Sequence, residues 1–133
     1  MRKRSVKNNK KYDENVLNSL KSLPVSFKTF DNHEVIFGKG KRYETIFEHI
    51  SKQKHKFKTS DIKTIPKILN SKKSLQKDNK KNIFRNYIGD RPKKNTRLKY
   101  IKIVTLKVSD NKEVIVTIYL IKNKHVAKKN KNR

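Results

Sequence analysis

Apolar residues recur at helical spacing in the first half of the chain and at alternating spacing in the second. Tyr12, Val16, Leu17, Leu20 and Leu23 fall on one stripe. That stripe predicts a helix from Asp13 to about Ser22, with Asp13 as its cap and Pro24 as its end. Val25 to Phe30 reads as a strand, Asp31-Asn32 as turn chemistry, and Glu34 to Phe37 as a short returning strand. Tyr43, Ile46, Phe47 and Ile50 sit at i, i+3, i+4 and i+7 and predict a second helix, from about Arg42 to Gln53.

A third helical stretch runs from Thr59 to Leu69, with Ile62, Ile65, Ile68 and Leu69 facing inward. Pro66 lies inside it and lacks a backbone donor, so two short turns or a kinked helix are expected. The polar, lysine-rich segment 70–82 reads as a loop. Asn82 to Ile88 reads as a strand that Gly89-Asp90-Arg91-Pro92 breaks. The strongest β pattern follows, Leu98 to Val108 and Glu113 to Ile121, joined by Ser109-Asp110-Asn111-Lys112 as a hairpin turn. The expected fold is α+β, with N-terminal helices packed on a C-terminal antiparallel sheet of three to four strands. Residues 12–122 make one domain between two basic tails, 1–11 and 123–133, which carry too few apolar residues to offset the entropy of ordering.

Charge changes the picture more than any motif. Lys and Arg number 37 against 11 Asp and Glu, a net +26 on 133 residues, with 32% hydrophobic residues. Such a surplus repels itself, and a polyanion relieves it with salt-sensitive affinity. A nucleic-acid partner is therefore expected, and RNA above all. The chain has no Cys, which excludes disulfides, Cys-ligated zinc and thiol catalysis. No apolar run approaches the ~18 residues that span a bilayer, and no hydrophobic stretch follows the basic start Met1-Arg2-Lys3-Arg4. A cytoplasmic, monomeric protein with no membrane partner is expected.

Candidate chemistry follows from this partner. Acidic residues are few and scattered, no His-x-x-x-His occurs, and Gly38-Lys39-Gly40 is too short for a phosphate loop; neither a metal nor a cofactor is expected. Metal-free cleavage of RNA needs a base for the 2′-hydroxyl, an acid for the leaving 5′-oxygen, and donors around the phosphorane. His49 lies about 60° from Ile46 on a helical wheel, at the border of the buried stripe, half-sheltered yet reachable. An exposed helix histidine touching a backbone carbonyl would share this spacing. His55 meets His49 only if the helix ends near Lys54. His33, in a turn, and His125, in a tail, carry less weight.

Thr117 and Tyr119 alternate with Val116, Ile118 and Leu120, so a strand puts the two hydroxyls on one face, together with Ile115 and Ile121. Arg85 and Tyr87 share a strand face in the same way, and Arg85 can take a phosphate bidentately. Lys39, Lys41 and Arg42 form a basic patch able to grip phosphate, and Lys52 is counted with the RNA-binding residues; a merely solvated basic surface would look alike.

Tyr43 to His55, containing His49-Ile50 and Lys54-His55, resembles the helix of small phage and bacterial nucleases of the barnase–EndoU–colicin–RelE class. The resemblance continues through Asp61-Ile62-Lys63-Thr64-Ile65-Pro66-Lys67-Ile68-Leu69 and a last strand with a hydroxyl residue, Val116-Thr117-Ile118-Tyr119. It covers roughly residues 35 to 122. It implies metal-independent cleavage of RNA, often transfer or messenger RNA, commonly by a toxin; an acidic cognate inhibitor is a candidate partner whose existence the sequence does not show. By the same resemblance His49 is the catalytic imidazole, Thr117 contacts phosphate or base, and His55 and Arg85 support them. Tyr119 and Tyr87 join the RNA-binding set. No glutamate matches barnase's general base. Two readings without cleavage stay open: an RNA- or DNA-binding accessory protein, and a protein-interaction module such as an inhibitor of an acidic enzyme.

Overall fold

The computed structural model describes residues 14–37, 47, 50, 57–76, 83–92 and 97–123. Helix α1 (Glu14–Lys21) carries Glu14 in its first turn and Lys21 in its last, both favourable to the helix dipole. It buries Val16 and Leu20. Strands β1 (Ser26–Lys28) and β2 (Glu34–Phe37) pair antiparallel around the turn at Asp31-Asn32. Asn32 adopts φ 64°, the left-handed conformation that asparagine tolerates better than most residues. Phe47 and Ile50 are helical and buried, as their stripe predicts.

Helix α2 (Thr59–Leu69) is continuous through Pro66, so the segment does not divide into two short turns. Ile62, Ile65, Ile68 and Leu69 are buried, and that burial outweighs the single backbone bond lost at the proline. Asp61 in its first turn is itself buried. It accepts the Lys58 amide at 2.8 Å and a two-point grip from Arg91, Nε to Oδ1 at 3.0 Å and Nη2 to Oδ2 at 2.7 Å. Arg91 also donates to the Leu98 carbonyl, so one ion pair ties the start of α2 to the segment between the third and fourth strands. Part of the expected 70–82 loop is ordered: a 3-10 turn at Lys72–Ser74 leads to Leu75, which bridges Tyr87.

Strands β3 (Phe84–Asp90), β4 (Tyr100–Ser109) and β5 (Lys112–Ile121) follow, with a tight β4–β5 turn at Asp110-Asn111. Gly89 lies inside β3 rather than ending it. An added Cβ there would stand 2.5 Å from Cγ1 of Ile68, so the missing side chain lets α2 seat directly on the strand.

The α+β class stands, but the sheet corrects the expectation of three to four antiparallel C-terminal strands. It has five strands in the order β1-β2-β5-β4-β3, and β2 runs parallel to β5. The N-terminal hairpin therefore joins the sheet. Val35 is 0% and Phe37 3% exposed, and their apolar side chains are best buried by pairing with β5, whose Ile115 stands opposite Phe37.

The inner face carries Phe27, Val35, Phe37, Tyr87, Ile101, Ile103, Ile115, Ile118 and Leu120, which cluster with the buried residues of α1 and α2 and with Phe47, Ile50 and Phe57. A bulge divides β5: Val104 pairs with Thr117 while Thr105 pairs with Ile115, leaving Val116 as the extra residue. Ile115 thereby joins Ile118 and Leu120 on the inner face, not Thr117 and Tyr119 as simple alternation predicts. No described helix is long and apolar enough to cross a membrane.

Candidate functional site

Polar side chains break the inner face at the end of the sheet where β2 and β5 begin. Glu113, the second residue of β5, is 0% exposed. A buried carboxylate is costly without partners, and this one has four. Its Oε1 accepts from the Tyr87 hydroxyl at 2.9 Å and the Thr105 hydroxyl at 2.7 Å. Its Oε2 accepts from Arg85 Nη1 and lies 2.6 Å from His33 Nδ1. Arg85 Nη1 and His33 Nδ1 stand 3.0 Å apart. That separation is the third side of a triangle in which both nitrogens point their hydrogens at Oε2, with the imidazole proton on Nδ1.

The β1–β2 turn supplies the rest. Arg85 Nη2 donates to Asp31 Oδ2 at 2.8 Å, and the Thr29 hydroxyl donates to Asp31 Oδ1 at 2.5 Å. The same Thr29 oxygen accepts the His33 amide at 2.9 Å. Backbone bonds from Thr29 to the His33 carbonyl and from Asn32 to the Thr29 carbonyl close the loop. The turn thus holds Asp31 and His33 over Arg85, whose guanidinium carbon lies 5.9 Å from the Phe30 ring and 5.7 Å from the Tyr87 ring.

Electrostatics follows from this packing. Burial pulls the Asp31 carboxyl upward, but the hydrogen bonds from Arg85 and Thr29 and the Arg85 charge outweigh it and hold Asp31 below its ordinary 3.8. Burial pushes the Tyr87 phenol far above its usual range, and the neighbouring Glu113 charge adds to the shift. Burial opposes the Arg85 charge, yet its bonds to Asp31 and Glu113 prevail and raise its affinity for the proton.

Two groups of the network open outward, Asp31 at 34% and His33 at 17% side-chain exposure; Arg85 and Thr29 hold the Asp31 carboxylate, so His33 is the one suited to proton exchange. Glu113 commits Nδ1, and the nearest described acid to Nε2, Asp31 Oδ2, is 3.7 Å away, beyond hydrogen-bond reach. An imidazole with one nitrogen fixed on a carboxylate and the other able to accept is equipped for proton transfer. Among the described residues no group of three or more His, Cys, Asp or Glu could hold a metal ion.

The residues singled out in the sequence divide between the two sheet faces. Arg85 and Tyr87 lie together on the inner face, 3% and 0% exposed, and Arg85 spends its terminal nitrogens on two carboxylates instead of facing solvent. Thr117 and Tyr119 lie together on the outer face, half-buried, opposite Val104 and Lys102 of β4. The Lys102 ammonium stands 5.5 Å from the Tyr119 ring. His49, His55, Lys39, Lys41, Arg42 and Lys52 lie outside the described residues, as do both basic tails up to Asp13 and from Lys124. Phe47 and Ile50, which flank His49, pack with the inner face: the Phe47 ring meets Phe37 edge-on at 5.0 Å. That is the side away from Thr117.

Sequence reasoning passed over Asp31 and Glu113 and gave His33 little weight. The available signal was acidity itself: a glutamate opening a β-branched strand is out of place in so basic a chain. No family model, curated protein or solved structure matches the chain.

Proposed function

We propose that the protein is a metal-independent endoribonuclease whose proton-transfer group is His33. The surplus of 37 basic over 11 acidic residues draws the RNA. The 2′-hydroxyl attacks the adjacent phosphorus as its proton passes to Nε2 of His33. The 2′-oxygen–phosphorus bond forms, the phosphorus–5′-oxygen bond breaks, the leaving 5′-oxygen takes a proton from solvent water, and His33 returns its own proton to solvent. The products are a 2′,3′-cyclic phosphate and a 5′-hydroxyl end. One observation carries this reading: His33 reaches the surface while the fully buried Glu113 holds its Nδ1 at 2.6 Å. Glu113 and Arg85 act as positioning residues, since both are buried. DNA lacks the attacking hydroxyl and is not cut.

The test uses purified protein and a single-stranded RNA in EDTA, with His33→Ala and His49→Ala variants beside it. Cleavage should fall by roughly 10²- to 10⁴-fold in His33→Ala, and added imidazole should restore part of it. Loss confined to His49→Ala would move the catalytic group to the helix that the family resemblance indicates. Intact RNA with every protein, the unaltered one included, would remove the nuclease reading and leave a protein that only binds.

A further inference from the structure

The outer face of the sheet is the surface that the buried network does not use. The pairing register arranges it in rows across β3, β4 and β5: Asn86, Val104 and Thr117; Ile88, Lys102 and Tyr119; Asp90, Tyr100 and Ile121. The described helices pack on the other face. Tyr100, Lys102, Thr117 and Tyr119 are each half-buried, and exposed Lys99 and Lys122 flank the end that Tyr100 and Ile121 close.

Three features of this face select its partner. Tyr100 and Tyr119 are diagonal neighbours on adjacent strands, since Tyr100 pairs with Ile121 and Lys102 with Tyr119. Such neighbours lie about 7–8 Å apart. That is about twice the 3.4 Å rise between stacked bases, so adjacent bases meet the two rings only if the strand is extended and unstacked. Lys102 lies between the rings in register and brings positive charge to the Tyr119 ring at 5.5 Å, where a backbone phosphate can offset it. A broad sheet face also cannot enter the deep, narrow major groove of an RNA duplex, whereas it can carry splayed single-stranded bases. Hydroxyls on Thr117, Tyr119 and Tyr100 supply polar contacts to bases or sugar.

We propose that the outer sheet face binds an extended single strand of nucleic acid, with bases stacked on Tyr119 and Tyr100 and the backbone drawn to Lys102, Lys99 and Lys122. The proposal rests on the RNA reading above but not on cleavage. Tyr119 stands six residue steps along β5 from Glu113, about 20 Å at strand spacing. The binding face and His33 therefore engage different nucleotides of one strand.

Binding is measured by fluorescence anisotropy on the full chain at 0.2 M salt (roughly), where the sequence-independent electrostatic part is weakened. The probes are a labelled single-stranded 2′-O-methyl RNA and a DNA strand of the same sequence, neither of which can be cut through a 2′-hydroxyl. Tyr119→Ala should weaken both on the order of 10- to 100-fold, Tyr119→Phe should stay near the unaltered protein, and Lys102→Ala should lower the salt dependence. A duplex of the same sequence should compete poorly. Equal affinity of Tyr119→Ala and the unaltered protein for the single strands, with both proteins folded by circular dichroism, would overturn the proposal. So would a preference for duplex. Because the probes resist cleavage, failure here is distinct from failure of the nuclease reading.

Discussion

Glu113→Gln is the sharpest perturbation of the buried network. The amide keeps the side chain's size but removes a charge from a site with 0% exposure. It also replaces one acceptor oxygen by a donor. The amide nitrogen placed at Oε2 would confront Arg85 Nη1 and His33 Nδ1, two donors. Placed at Oε1 it meets Tyr87 and Thr105, whose hydroxyls can rotate to accept. The second orientation is the one expected, and it leaves Arg85, 3% exposed, with Asp31 as its remaining described carboxylate. Removing one partner of a buried ion pair costs about 3–5 kcal/mol; the rotating hydroxyls set the lower end as the expectation, about 3 kcal/mol. That is a large share of a typical domain's stability of about 5–15 kcal/mol. Urea unfolding followed by circular dichroism should show the midpoint fall with little change in slope. A loss under about 1 kcal/mol would overturn the picture of Glu113 as a buried carboxylate paired with Arg85.

Three further outcomes follow from the packing. Gly89→Ala should destabilise by about 1–3 kcal/mol through overpacking, because its Cβ would meet Cγ1 and Cδ1 of Ile68 at 2.5 and 2.9 Å; adding Ile68→Val should recover part of the loss in a double-mutant cycle. Tyr87, raised first by burial and then by Glu113, should not ionise with exposed tyrosines in an ultraviolet pH titration. Its contribution to stability is full below the ordinary phenol value of about 10 and fades above it, so its ionisation should coincide with alkaline unfolding. Asp31 is held below 3.8, so its contribution is present above that value and is lost as pH falls through the lower folded value; Asp31→Asn should flatten the acid limb of a stability-against-pH curve.

Much of the local architecture is legible in the chain. The stripes Val16-Leu20 and Ile62-Ile65-Ile68-Leu69 give two helices to within a residue or two, because the burial of one helical face is written in the 3.6-residue period. The last two strands and their turn are equally plain from alternation and β-branching. The site was far less legible. Arg85 and Tyr87 could be grouped, since residues two apart in a strand share a face, but nothing in that spacing names the carboxylate they meet. Glu113 lies 28 residues from Arg85 and 80 from His33, and proximity across such separations is not encoded in any local period.

The linear chain is enough to place the helices Glu14–Lys21 and Thr59–Leu69, the C-terminal hairpin and the α+β class, and it carries a net charge of +26. Each depends on local periodicity or on composition. Which strand residues turn inward across the whole of β5 depends on the packed sheet. The bulge at Val116 shifts β5 by one residue, turning Glu113 and Ile115 inward although strict alternation from Ile118 and Leu120 would turn them out. A one-residue shift exchanges the faces of every residue beyond it. The parallel pairing of β2 with β5 then brought the Asp31–His33 turn against that inward glutamate. A charge buried by register alone must find its partners in space, and those partners make the candidate site.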